Sequence, residues 1–146
     1  MKIAQTFVLF TALVAGVAGV ADAQDQRQFV QLPPAAQESL RVEMLDNMLA
    51  INGILELMAA GKTKEAGQLA ETALGRSAQG KNRQKPFDAR PGPHMPPAMH
   101  DIGLDGHRAA SEFAKAASAG DREQAIALLP KLTGACVACH YSYRTR

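Results

Sequence analysis

The sequence predicts an all-α fold of four helices, and three observations carry that expectation. Apolar residues recur at steps of three and four along four stretches, and glycine or proline punctuates each stretch. No segment shows the apolar–polar alternation of a half-buried strand. Four such helices joined in order, two pairs of them by short loops, suggest an antiparallel four-helix bundle.

Met1–Ala23 reads as a secretory signal peptide. Lys2 is followed by an apolar run to Val20, and Ala21-Asp22-Ala23 supplies small residues before a cut that would leave Gln24 first. Residues 24–33 then read as a flexible, polar N-terminal segment, and residues 34–146 as one helical domain. No stable membrane span is expected once the leader is cut, because no later stretch is long and apolar enough.

Pro33-Pro34 opens the first helix, since proline suits the first turn. Leu40, Met44, Met48, Ile51, Leu55 and Met58 form its predicted stripe, and Gly61 stops it. Thr63 is a cap for the second helix, with Ala66, Leu69, Ala70, Ala73 and Leu74 on its apolar side. Lys81–Pro97 holds five prolines and four basic residues and reads as a solvated connection without regular structure. Pro96-Pro97 starts the third helix. Its face includes Met99, Ile102, Gly106, Ala110, Phe113 and Ala117, with Gly103 and Gly106 leaving room for a neighbour. Gly120 ends it, and Asp121 with Gln124 forms a capping-box-like start to the fourth. Ile126, Leu129, Thr133, Cys136 and His140 continue one face of that helix. Pro130 lies within it and either bends it or divides it.

The chain has 146 residues and a formal charge of +2, which gives no strong preference for nucleic acid or membrane. Hydrophobic residues make up 47% but aromatics only 5%, and alanine supplies much of the apolar content. Helices rich in alanine approach closely but leave little bulk for a core, which a buried planar group would provide.

Both cysteines lie in Cys136-Val137-Ala138-Cys139-His140, close to the C-terminus. Cys-x-x-Cys-His reads as a c-type haem attachment site. On a helix, positions i, i+3 and i+4 share a face, so two thiols can take up the haem vinyls while the imidazole reaches iron. The alternatives are a short disulfide, a redox dithiol or part of a zinc site. Zinc would need a fourth ligand and normally a second close pair, and a thioredoxin-like dithiol should open a helix after a strand.

With the leader and the four helices, the C-terminal motif resembles the class II c-type cytochromes: cytochrome c-prime and its low-spin, methionine-ligated relatives. The resemblance rests on Cys136–His140 with Tyr143-Arg144 behind it, and on Glu43-Met44-Leu45-Asp46-Asn47 in the first helix. It implies one covalent haem c whose iron is bound by His140, a periplasmic location, redox partner proteins, and room for a homodimer through the first two helices. It also implies electron transfer or, with an open sixth site, binding of small gases such as NO or CO.

Topology leads to the same distal candidates. The haem would hang from the last turns of the fourth helix and meet the early turns of the first, where Met44 is the favoured sixth ligand and Met48 lies one turn deeper. Met ligation would make the protein an electron carrier, and His140 alone would make it a gas binder. His94, His100 and His107 are outsiders as ligands. Lys81–Arg90 is a candidate docking surface for an oxidoreductase partner. No general base or nucleophile is arranged for turnover, so the chain is not expected to be an enzyme.

Overall fold

The computed structural model describes residues 24–146; the leader expected at Met1–Ala23 lies outside them. The described chain is mostly helical, with α1 over Pro34–Ala59, α2 over Thr63–Leu74, α3 over Pro97–Ser118 and α4 over Arg122–Ser142. Among the described residues no helix is long and apolar enough to cross a membrane.

Local chemistry sets the helix ends. Pro34 and Pro97 occupy first-turn positions, where the missing N–H has no helical partner to lose. Asp121 accepts from the Gln124 N–H (3.0 Å), as expected of a cap. Gly61 and Gly120 turn the chain after α1 and α3 with φ of 73° and 81°, a region glycine enters without Cβ strain. Pro130 lies inside one continuous helix. It cannot donate to Ile126, whose backbone sits on an exposed stretch of α4, so water can replace the bond.

α1 packs on α2, α2 on α3, and α3 on α4, whereas α1 and α4 share no comparable face. Glycine allows two of these approaches. A Cβ on Gly53 would lie 2.9 Å from the Leu69 side chain. A Cβ on Gly67 would lie 2.7 Å from the backbone N of Ser118 and 2.9 Å from Ala114 O. Leu69 can rotate aside, but the α3 backbone cannot. Gly67→Ala is therefore expected to cost roughly 1–3 kcal/mol or more by overpacking, despite alanine's better helix propensity. Thermal unfolding followed by circular dichroism would show it, and an unchanged or raised Tm would refute this account of the α2–α3 contact.

The apolar interior falls into two clusters. The larger joins Ile54 and Met58 of α1, Ala66 and Ala70 of α2, Phe113 and its alanine neighbours on α3, and Ala125 and Leu132 of α4. The smaller, at the other end, joins Val30, Leu32, Ala36 and Met99, with Leu40, Met95, Cys139 and Tyr143 packed against it. α2 is about 18 Å long against about 39 Å for α1, so it accompanies only part of its neighbour.

Two expectations need correction. Residues 24–33 are not a loose tail. Gln28–Phe29 (β1) pairs in parallel with Tyr143–Arg144 (β2), and Val30 and Leu32 are buried. The Pro-rich connection is not simply solvated either. It contains short 3-10 turns at Phe87–Ala89 and Gly92–His94 and is strapped along α1. Lys85 Nζ donates to Ser39 Oγ (2.9 Å), Asn82 Nδ2 to Glu43 Oε2 (2.7 Å) and Lys81 Nζ to Asn47 Oδ1 (3.3 Å). Ser39, Glu43 and Asn47 are spaced by four and so present one helix face to the loop.

Candidate functional site

Cys136, Cys139 and His140 lie in the last two turns of α4. Their spacing brings them to one side of the helix. Cys139 is half-buried against the smaller cluster, while Cys136 and His140 are exposed. Cys136 is one turn beyond the buried Leu132, so it continues the inward side of α4 at a level that neither cluster covers. Burial pushes both thiols above the ordinary cysteine range, and the neighbouring Cys136 adds to the effect at Cys139.

Two contacts set the height of α1 against α4. Arg122 Nη1 donates to Met58 O (3.1 Å) at one end, and Gln37 Nε2 donates to Thr145 O at the other. Counting back from either contact at equal helical rise brings Met44 level with residues 136–138, to within about a turn. Met44 is half-buried and belongs to neither cluster. It follows Leu40 by four and precedes Ile51 by seven, so it lies on the same side of α1 as both. α3 contributes a third wall. Gly106 faces Ala135 of α4, where an added Cβ would stand 3.2 Å from the alanine methyl. Gly103 shares a side of α3 with Met99 and Ala110, yet a Cβ there would meet nothing within 4 Å. Met44, Gly103 and Cys136 therefore lie at the level between the two clusters, where α1 and α4 do not pack closely.

Parts of the predicted stripes of α1 and α4 are exposed rather than core. On α1 the buried line is Ala36, Ala50, Ile54 and Met58, while Leu55 is exposed and Met48 is 71% exposed. On α4 the buried residues are Ala125 and Leu132, while Ile126, Cys136 and His140 are exposed. Met58 of the α1 stripe is in the larger cluster, and Ile51 and Leu129 pack against it. Val42, Leu45 and Leu49 form a separate exposed apolar line on the outer side of α1, with Leu49 73% exposed.

The donor set fits a covalently tethered iron porphyrin. Two thiols and an imidazole share one side of α4, and a soft thioether stands level with them on α1. Arg144 Nε is the buried side-chain nitrogen without a hydrogen-bond partner among the described residues. It lies 3.6 Å from Asp25 Oδ2, near enough for charge attraction but too far for a hydrogen bond, so it could receive a carboxylate. Zinc fits less well, since among the described residues no three His, Cys, Asp or Glu side chains converge on one point. A reactive dithiol fits less well too, because such cysteines have lowered pKa values, commonly at a helix N-terminus, whereas these are raised and near a C-terminus.

The remaining histidines have other partners or positions. His107 Nδ1 donates to Leu74 O (2.7 Å) and caps α2. His94 Nε2 donates to Phe87 O (3.1 Å), and its ring stands edge-on to Phe87. His100 is exposed beside Gly92. Of the basic residues in the candidate docking surface, Lys81 and Lys85 are turned onto α1, and Arg90 Nε donates to Lys85 O (2.7 Å). A depression of about 440 Å³ between Asp46, Ser77 and Lys81 lies away from the cysteines and has mixed polar and apolar walls.

Sequence reasoning missed the Ser39–Glu43–Asn47 line and the burial of Val30 and Leu32. The four-residue spacing of polar groups was the available signal for the first. A two-residue strand offers too short an alternation to signal the second. No protein-family model, curated protein or solved structure matches this chain.

Proposed function

We propose that the chain is a periplasmic c-type cytochrome that transfers single electrons through one covalently bound haem c, with His140 and Met44 as axial ligands. The observation that carries this reading is the placement of the donors: Cys136, Cys139 and His140 share one side of α4, and Met44 lies about level with them on α1, at a height where the two helices do not pack closely. The order of helix packing supports an antiparallel four-helix bundle opened on one side to take the group.

An iron porphyrin bound there supplies a one-electron couple. Cys136 and Cys139 would hold the group through thioether links, each thiol adding across a vinyl with its sulfur bonded to one carbon and its proton taken up by the adjacent carbon. No oxidant is consumed. His140 offers a neutral imidazole nitrogen, and Met44 a soft thioether that favours the reduced metal and raises the potential. Leu40 and Ile51 stand on the same side of α1 as Met44 and would help to exclude water there.

The gas-binding alternative keeps His140 and leaves the distal position open. Met44 being half-buried at the right height favours the carrier. The exposed outer line of α1 supports pairing with a second copy of the chain. The leader reading supports export. The docking role of Lys81–Arg90 is weakened because Lys81 and Lys85 already serve α1.

The test is purified protein from a host with haem-attachment machinery. Haem should remain with the polypeptide through acid-solvent extraction, and the oxidised spectrum should be low-spin. Haem that leaves into the organic phase would sink the attachment reading. A high-spin spectrum that binds carbon monoxide at once on reduction would transfer the proposal to the gas binder.

A further inference from the structure

The segment ahead of α1 is tied to the chain just beyond His140 by four kinds of contact. β1 pairs with β2 in the register Gln28–Tyr143 and Phe29–Arg144, and Val30 N–H donates to Arg144 O (2.8 Å). The Arg144 guanidinium lies over the Phe29 ring, 4.9 Å from its centroid. Arg27 Nη1 donates to the His140 carbonyl at 3.5 Å, a long bond. Val30 and Leu32 are buried in the cluster that packs against Cys139 and Tyr143.

An ionic tie reinforces these contacts. Asp25 receives the Arg27 guanidinium (2.7 Å) and lies near Arg144. Hydrogen bonds from Arg27, with smaller help from the Arg27 and Arg144 charges, lower the Asp25 carboxyl from 3.8 to about 2. Its folded value is the depressed one, so the tie is fully made above about pH 4 and is lost as pH falls through about 2. It is constant across the neutral range.

α4 needs such a tie. Its last two turns carry the exposed Cys136 and His140, and α1 does not pack along them. We propose that residues 25–32 are a positioning clasp: by pinning β2 and covering Cys139, Phe29, Val30 and Leu32 hold the His140 turn at the angle from which its imidazole meets the iron. This role rests on the cytochrome reading, whereas closure of the clasp does not.

Two measurements on the haem-carrying protein separate closure from positioning. Hydrogen exchange at the Val30 amide reads closure, and wild type should be protected by about a hundredfold or more over an open chain. The hyperfine-shifted proton resonances of the His140 ring in the oxidised protein read positioning. Val30→Asp should remove the protection and displace those resonances while covalent haem and helix content stay. Phe29→Ala, at a half-exposed ring that cannot unfold the helices, should reduce protection by about tenfold and displace the resonances in the same sense. A wild-type Val30 amide exchanging as in open chain would overturn the clasp. Lost protection with unmoved His140 resonances in either variant would reduce it to a tie between two segments and overturn its positioning role. Protected Val30 in a wild type that never acquires haem would sink the cytochrome reading and, with it, the positioning role, leaving only the closed segment.

Discussion

Cys136→Ser with Cys139→Ser is expected to give mature protein with no haem surviving acid-solvent extraction. A serine hydroxyl is far less acidic than a thiol and a much poorer nucleophile toward an alkene, so neither link can form. A single substitution should leave one link and a lower yield. Cys136→Ser should be the milder to the fold of the two singles, because Cys136 is exposed while Cys139 packs against the smaller cluster. His140→Ala keeps both thiols but removes the imidazole, so any attached haem should be high-spin. Mass spectrometry gives the number of haems per chain, and the absorption spectrum gives the spin state. Double-serine protein that still retains extracted-resistant haem would end the attachment reading. A wild type holding a metal without porphyrin would revive the zinc alternative.

Met44→Ala should change the iron's chemistry more than the protein's stability. Met44 is half-buried, so truncation should cost roughly 1–2 kcal/mol, below the range for a fully buried methionine. Loss of the soft donor should turn the oxidised iron high-spin, let carbon monoxide bind quickly and lower the reduction potential. The control is Met48→Ala. Sequence periodicity puts Met48 on the predicted stripe, where a core role would make truncation costly. At 71% exposure it has little packing to lose, so its removal should shift stability by about 0.5 kcal/mol or less and leave the spectrum alone. Exchanged phenotypes would make Met48 the ligand. Two silent substitutions in a protein already high-spin would leave His140 as the only protein ligand and favour gas binding.

The structure also changes how the apolar pattern of the two outer helices is read. Leu40, Met44, Ile51 and Leu55 on α1, with Leu129, Cys136 and His140 on α4, have the period of a core stripe. Period alone reports that a face is apolar; it does not report what covers that face. Here part of each stripe meets the shared core, through Met58 on α1 and Leu129 on α4, and the rest is half-buried or exposed. Alanine and glycine supply the real close-packed surfaces, as at Gly67 against Ser118 and Gly106 against Ala135. Such small residues stand out weakly in a hydrophobic pattern.

The sequence by itself determined the four helices and the ends of α1, α3 and α4, because prolines, positive-φ glycines and the Asp121 cap act within a few residues of where they sit; α2 departs from its reading, since Thr63 is a buried first-turn residue and Lys62 stands at the cap position with no side-chain capping bond. The sequence also determined that Cys136, Cys139 and His140 share one side of a helix, since helical spacing alone does that. Only the tertiary structure decided that α1 and α4 remain apart beside these residues, that Met44 stands level with them while Met48 faces outward, and that residues 25–32 close on β2. Each depends on contacts between segments distant in sequence: Arg122 with Met58, Lys85 with Ser39, Val30 with Arg144. Nothing in the local pattern of either partner specifies such a pairing, because its free energy comes from burial and hydrogen bonds that exist only once the helices have met.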